Sequence, residues 1–336
     1  MRESDRSQRF EMLLQPSRGF TPRRGVADNH REITGNNRSY QTIKLLLDRI
    51  DNSESFDFVS NEPNEVEQSS FESSLKSSLD EWNDEKKAVL GVDIFKYSQF
   101  DYRKQKLIPF IFSFLRKEAV RSFVLTEKFF SNRYERDVLE KDLIDTGDGG
   151  FLVFSQPIDA IVFLMHFNAY LHSFNSYHLY PKLRKYVGPL TIRYAITYDR
   201  LYKIDSKYYG PAIINNARII SKDKLNRLLI DDKTFDWFLL NVNGVENLPY
   251  VKKTDLKHLY LDDGDPESFS SFILGDGGNG QIRNVFCQKL EKIHVKDDDF
   301  DIYNLMIQSF LTFYGESEDE TISVVATVGN MNCNGI

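Results

Sequence analysis

From Lys87 onward the apolar positions alternate between short continuous runs and longer helical stripes. Ala88-Val89-Leu90-Gly91-Val92-Asp93-Ile94 is an apolar run with a carboxylate near its end, the pattern of a strand buried on both faces. Ser98–Phe130 carries Leu107, Ile108, Ile111, Phe112, Leu115, Ala119 and Phe123 at helical spacing, with Pro109 placed to kink it. Leu139–Thr146 and Gly150–Phe154 flank Gly147-Asp148-Gly149 and predict a hairpin. Pro157 opens a second helix at its first turn, running through Ile161, Phe163, Leu164, Phe167 and Leu171. Leu190–Thr197 alternates as a strand; Pro211–Lys222 predicts a helix, Arg227–Ile230 a strand and Asp232–Leu240 a helix. The order strand-helix-strand-strand-helix-strand is that of an α+β, ferredoxin-like sheet with helices on one face.

The flanks read differently. Asp262–Gly280 is rich in Gly, Asp and Ser and predicts a long surface loop. Ile293–Val295, Tyr303–Tyr314 and Thr321–Val328 read as three further strands, which either extend the sheet or form a small appended β unit. Residues 1–86 are polar, Arg-rich at the start and Ser- and acid-rich over Asp51–Asp80. Such a segment buries too little apolar surface to offset its chain entropy, so a mostly disordered extension is expected. Within it Ile43, Leu46, Leu47 and Ile50 share helical spacing, as in a short docking helix over Tyr40–Ile50. The chain thus divides into an extension (1–86), a core (87–262) and a C-terminal loop and β extension (263–336).

Charge narrows the chemistry. Lys plus Arg number 43 against 50 Asp plus Glu, a net charge of −7. That argues against a broad nucleic-acid-binding face, and an acidic protein handling polyphosphates needs metal ions to offset the repulsion. Two cysteines, Cys287 and Cys333, leave no disulfide framework or cysteine-based zinc site and fit a reducing cytoplasm. No apolar stretch approaches the roughly 20 residues that cross a bilayer, and no signal peptide is read, so a soluble cytoplasmic protein without a membrane partner is expected.

Two aspartates sit where chemistry is possible. Asp93 ends the first buried strand and Asp148 occupies the tip of the following hairpin, so this topology brings both to one edge of the sheet. Hard divalent cations such as Mg²⁺ or Mn²⁺ take one or two protein carboxylates and fill their shell with substrate phosphates. Blander roles compete: Gly-Asp-Gly-Gly is an ordinary turn sequence, and Asp93 could cap the next helix.

Val92-Asp93-Ile94 followed by Phe95, Lys96, Tyr97 and Ser98 resembles the opening strand and loop of the class III nucleotide cyclases. Thr146-Gly147-Asp148 is similar to that family's second metal-binding hairpin, and Tyr209-Gly210-Pro211-Ala212 through Ala217-Arg218 to its glycine-led helix. Tyr250-Val251-Lys252-Lys253 and Asp255-Leu256-Lys257 resemble its late strand. The resemblance covers residues 87–262 and implies the palm-type class III cyclase fold with extra C-terminal strands. It implies two Mn²⁺ or Mg²⁺ ions held by Asp93, the Ile94 carbonyl and Asp148, and loop amides around Phe95 on the triphosphate. It further implies Arg218 on the α-phosphate, Lys253 or Lys252 on the outer phosphates, and a homodimer with two shared sites.

Departures from the family pattern bear on the base. The two positions that read adenine in the family, as Lys and Asp, hold Ile144 and Lys207 here. Ile cannot donate to a ring nitrogen and Lys has no acceptor for an exocyclic amine. With Tyr97 placed to close the pocket over a single-ring base, the chain is most similar to the pyrimidine cyclases of bacterial Pycsar anti-phage systems. These convert UTP, or less often CTP, to a cyclic nucleotide that activates a separate effector. The family Asn aligns with Ile214, so either a local bulge restores Asn215 to that place, or its neighbour Asn216 or a water is expected to serve there. The Gly-rich segment expected after the fourth strand is replaced by Thr197-Tyr198-Asp199-Arg200.

Other features and rival readings weigh less. Gly275–Gly280 matches Gly-x-Gly-x-x-Gly but lacks a βαβ setting, and His166 and His172, six apart on a helix, suit packing or surface roles. A purine cyclase, a diguanylate cyclase and a catalytically inactive nucleotide sensor are the rivals. Gly149 stands where the diguanylate enzymes need an acid, and both metal aspartates are retained, unlike in many sensors.

Overall fold

The computed structural model describes residues 85–335, except 142, 205–206, 261–264, 275–279, 295–298 and 315–320. The expected docking helix at Tyr40–Ile50, nearly all of the expected N-terminal extension, and the glycine word before Gly280 lie outside these residues. The described part belongs to one compact unit, Ser77–Ile336.

Strand β1 (Lys86–Ile94) forms where the continuous apolar run predicts it, because helices cover both its faces. Ala88, Leu90, Val92 and Ile94 point to a core shared with α1 (Tyr102–Thr126) and α4 (Pro157–Asn175). Val89 points the other way, toward Ala212 of α6 (Pro211–Lys222). Between α1 and α4 come two short helices, α2 (Lys128–Ser131) and α3 (Arg136–Lys141), then β2 (Ile144–Asp145) and β3 (Gly149–Phe154). After α4 follow α5 (Pro181–Val187), β4 (Ile192–Arg200) and a hairpin of β5 (Tyr202–Ile204) with β6 (Lys207–Tyr209). Strand β7 (Leu228–Asp231) and α7 (Asp232–Val242) succeed α6; α8 (Lys257–Tyr260), β8 (Gly280–Ile293), β9 (Phe300–Tyr314) and β10 (Thr321–Val328) complete the chain.

The sheet order over the first four strands is β4-β1-β3-β2, with β1 antiparallel to both β3 and β4. This is the ferredoxin-like βαββαβ core, and its two connecting helices, α1 and α4, pack together on one face with the Phe112 and Phe167 rings 5.8 Å apart edge to face. Helix α4 is buried nearly all round. Its start is fixed by Pro157 at the first turn and a capping box between Gln156 and Asp159. Beyond β4 the sheet continues: β7 lies parallel to β4, as the α6 crossover demands, and β9 pairs antiparallel with β7. The C-terminal strands therefore extend the sheet, β8 and β10 both pairing with β9.

Local structure departs from expectation in several places. The region expected as strand from Leu139 to Thr146 is instead helix α3 and a two-residue β2; Arg136 and Glu140, one turn apart, form an ion pair at 2.8 Å that favours the helix. The long helix runs through Pro109 from Tyr102 to Thr126, shorter at both ends than the expected Ser98–Phe130. Pro109 lacks the N–H that would serve the Gln105 carbonyl, and the Tyr97 hydroxyl donates to that carbonyl at 2.9 Å instead. Residues 250–257, expected as a strand, form 3₁₀ turns around Pro249 and a Lys252 N–H to Asp255 contact of 2.9 Å, followed by α8. Of the strand expected at Ile293–Val295, Ile293 is the last residue of the much longer β8, whose two register shifts against β9 break its alternation, and Val295 lies outside the described residues.

Candidate functional site

The site is built where β1 ends. Asp93 lies opposite Gly149 on one side and Arg193 of β4 on the other, and the Ile94 N–H donates to the Asp148 carbonyl at 2.8 Å. Fifty-five positions apart in sequence, Asp93 and Asp148 are thereby neighbours across adjacent strands. The fit depends on Gly149. A Cβ there would lie 2.0 Å from the Val92 carbonyl oxygen and 2.9 Å from the Asp93 Cα, so only glycine lets the hairpin close on β1.

The blander roles of the two aspartates are filled by other residues. Helix α1 is capped by Asp101, which accepts from the N–H groups of Arg103 and Lys104. The turn is held by Asp145, whose carboxylate accepts the Gly147 N–H at 2.6 Å. Among the described residues, the side chains of Asp93 and Asp148 have no local backbone task of this kind.

Electrostatics at Asp93 are set by burial, by Arg193 and by Asp148. Burial holds its carboxyl above the usual 3.8; the Arg193 hydrogen bond and charge pull it back, and the Asp148 charge pushes it up again. Arg193 donates through Nε at 2.7 Å and approaches through a terminal nitrogen at 2.6 Å, both to the same Asp93 oxygen. Its other terminal nitrogen donates to the Asp223 carbonyl at 2.6 Å, at the end of α6. Past the end of β1 opens a cleft of about 400 Å³ lined by Phe95, Lys96, Gln99, Phe100, Pro189 and Thr191; neither aspartate lines it, and Arg193 reaches it only through the Phe95 ring. Lys96 and Arg193 approach the Phe95 ring at 5.1 and 5.5 Å, which gives this part of the cleft a cationic edge. Two carboxylates flanked by such an edge suit a small divalent cation that brings its own anionic ligand. Among the described residues no group of three or more His, Cys, Asp or Glu forms a closed metal cage.

The remaining expected site residues are distributed unevenly. The Ile94 side chain is buried in the core, leaving only its backbone for the site. Tyr97 has its hydroxyl engaged by α1 and is not among the cleft-lining residues. Ile144 is half-buried on β2, while Lys207 is exposed on the β5–β6 hairpin, a separate sheet. Arg218 and Asn215 hydrogen-bond to each other at 3.0 Å on the solvent side of α6. Asn216 faces the interior: it is fully buried and donates to the Val89 and Ala195 carbonyls and the Thr197 hydroxyl, so it is committed to joining α6 to the sheet. Lys253 is turned inward, donating to Glu267 and the Phe269 carbonyl at 3.2 and 3.1 Å, and Lys252 serves the adjacent turn through its N–H. His166 is a packing residue held between Ser122 and a fully buried Glu127, and His172 contacts Ser176. Arg193 was not expected. The signal for it was an arginine at the second position of a strand whose next four positions are buried.

No helix among the described residues is long and apolar enough to cross a membrane. No family model and no curated protein matches the chain. Solved structures do show likeness. One is the catalytic core of a rhodopsin-guanylyl cyclase with converted specificity in complex with ATPαS, at 12% identity and a TM-score of 0.39, covering 66% of this chain and 95% of that one. Another is the guanylate cyclase domain of RhGC from Catenaria anguillulae in complex with GTP, at 12% identity and 0.39, covering 66% and 96%. A Trypanosoma brucei adenylate cyclase in its monomeric state gives 12% and 0.36, covering 66% and 89%.

Proposed function

We propose that the chain is a nucleotide cyclase that closes a ribonucleoside triphosphate to its 3′,5′-cyclic monophosphate with release of pyrophosphate. The observation that carries this reading is the adjacency of Asp93 and Asp148 across β1 and β3, with Arg193 bonded to Asp93 and a cationic edge at the Phe95 ring. Divalent cations held by Asp93, Asp148 and the Ile94 carbonyl would lower the pKa of the attacking 3′-hydroxyl and neutralise the leaving pyrophosphate.

The protein's own groups then do the following. Arg193 is shared between Asp93 and the Asp223 carbonyl, so a polyphosphate entering the cleft offers it a better anion than a carboxylate already serving a cation. Lys96 and the loop after Phe95 hold the outer phosphates. Arg218 presents a planar, permanently charged donor to the α-phosphate, with Asn215 orienting it. Because Arg218 and Asn215 bond to one another on the outer side of α6, we assign them to a site completed by a second copy of the chain. Lys253, ion-paired inside its own loop, is given no part.

The base is proposed to be a pyrimidine, UTP before CTP. Support comes from Ile144 and Lys207, which lack the hydrogen-bonding pattern for adenine. Incubating the full chain with each of the four ribonucleoside triphosphates and Mn²⁺, then reading products by mass spectrometry, tests this. Cyclic UMP is expected to dominate. Equal or greater turnover of ATP or GTP would refute the pyrimidine assignment, and the absence of any cyclic product would refute the activity.

A further inference from the structure

The end of the chain is tied to the candidate site through a continuous set of hydrogen bonds. After β10, Gly329 turns at φ +74°, where a Cβ would lie 2.2 Å from the Leu305 carbonyl oxygen, so the tail can cross the sheet edge only because this residue is glycine. The following segment covers Arg227, which is fully buried. Arg227 donates to the carbonyls of Asn332 and Asn334 at 3.1 and 2.6 Å and to the Asp223 carboxylate at 3.0 Å. Asn330 donates to the carbonyls of Leu225 and Asn226, and the buried Asn304 of β9 donates to those of Asn330 and Asn332. The turn from Asp223 to Arg227 is thus held by the tail on one side and by the Tyr194 N–H to Arg227 carbonyl bond of 2.9 Å on the other. From that turn the Asp223 carbonyl takes Arg193, and Arg193 takes Asp93.

We propose that Gly329–Gly335 is a latch on the site: by closing over Arg227 it fixes the Asp223 carbonyl, which keeps Arg193 against Asp93. The proposal rests on the cation-binding reading of Asp93 and Asp148. Arg227 and Asn330 are positioning residues, acting on Asp93 only through Arg193. While the latch is closed, the guanidinium competes with a cation for Asp93 until an anionic ligand draws it away. Once the latch is open, Arg193 loses a fixed partner, competes less with a bare cation, and is less well placed for a phosphate.

The test uses the full chain, a version ending at Val328, and the milder Asn330→Ala and Arg227→Lys, with Mn²⁺ alone as the probe followed by electron paramagnetic resonance. Opening the latch is expected to tighten nucleotide-free Mn²⁺ binding by about tenfold, the scale of one charge-assisted hydrogen bond, while turnover falls. A merely structural tail would not move the two in opposite directions. In an Arg193→Met background the effect of opening the latch on Mn²⁺ affinity is expected to vanish; an equal effect in both backgrounds, or none in any variant, would overturn the latch. Binding that is lost in Asp148→Asn but indifferent to the tail overturns the latch alone. An intact chain that binds no Mn²⁺, or binds it equally in Asp148→Asn, overturns the cation reading and the latch with it.

Discussion

Gly149→Ala isolates the contact on which the carboxylate pair depends. Its Cβ would sit 2.0 Å from the Val92 carbonyl oxygen and 2.9 Å from the Asp93 Cα. An ordinary carbon–oxygen contact needs about 3.3 Å, so the hairpin must part from β1 by roughly 1 Å. Overpacking of this kind costs about 1–3 kcal/mol, below the ~5–15 kcal/mol that keeps a domain folded. The melting temperature should therefore fall by about 2–10 °C without loss of the fold. Displacing Asp148 from Asp93 by the same ~1 Å should lower turnover about 100-fold. Gly188→Ala, at a positive φ of 96° in open space at the end of α5, provides the matched control: strain without a clash at the site. Scanning calorimetry and cyclic-nucleotide formation per folded protein read both quantities. Wild-type turnover and metal activation in Gly149→Ala, alongside a lowered melting temperature, would refute the claim that the two aspartates act together.

Three further outcomes follow from particular residues. Arg218→Ala should cut turnover about 100-fold yet leave the melting temperature unchanged, since the Arg218 side chain is exposed and bonds only to Asn215 among the contacts described; a parallel loss of stability would point to a structural role. Burial raises the carboxyls of Asp159 to about 6 and Asp231 to about 7, so the folded state holds their protons more tightly than the unfolded chain does. That stability is present below about pH 4 and is lost as pH rises through 6 to 7, and thermal melts across this range should show the decline. Asp231→Asn, which still caps α7 at the Thr234 N–H, should flatten part of it and be no less stable than wild type at pH 8; a lower melting temperature there would contradict the assignment. Finally, Ile144→Lys with Lys207→Asp supplies the missing adenine readers and should shift product from cyclic UMP toward cyclic AMP, whereas an unchanged product ratio would remove these positions from base selection.

How much of this could be read in the sequence depended on how local its cause was. Strand β1 was legible because helices on both faces demand an unbroken apolar run, and α4 and α6 because proline marks their first turns. The pairing of Asp93 with Asp148 followed from strand order alone. Helix α3 was missed although Arg136 and Glu140 at one-turn spacing signalled it, and β8 because two bulges shift its parity. Asn216 and Asn215 differ in fate by 100° of helix phase, and Ala212, Ile219 and Ile220 on the buried face identify Asn216 as the inward one. Arg193 required the β1–β4 register, and the inward turn of Lys253 required Glu267 and Phe269, fourteen and sixteen residues later. Neither could be obtained from spacing.

The most direct test of the central claim is a Mn²⁺ titration of the full chain in the presence of a non-cyclisable triphosphate, compared with Asp93→Asn and Asp148→Asn. If the two carboxylates share a cation site, each substitution alone should abolish or weaken binding by at least about tenfold, the scale of one lost charge-assisted contact. Unchanged Mn²⁺ affinity in either variant would mean that the residues meet across the sheet without forming a metal centre.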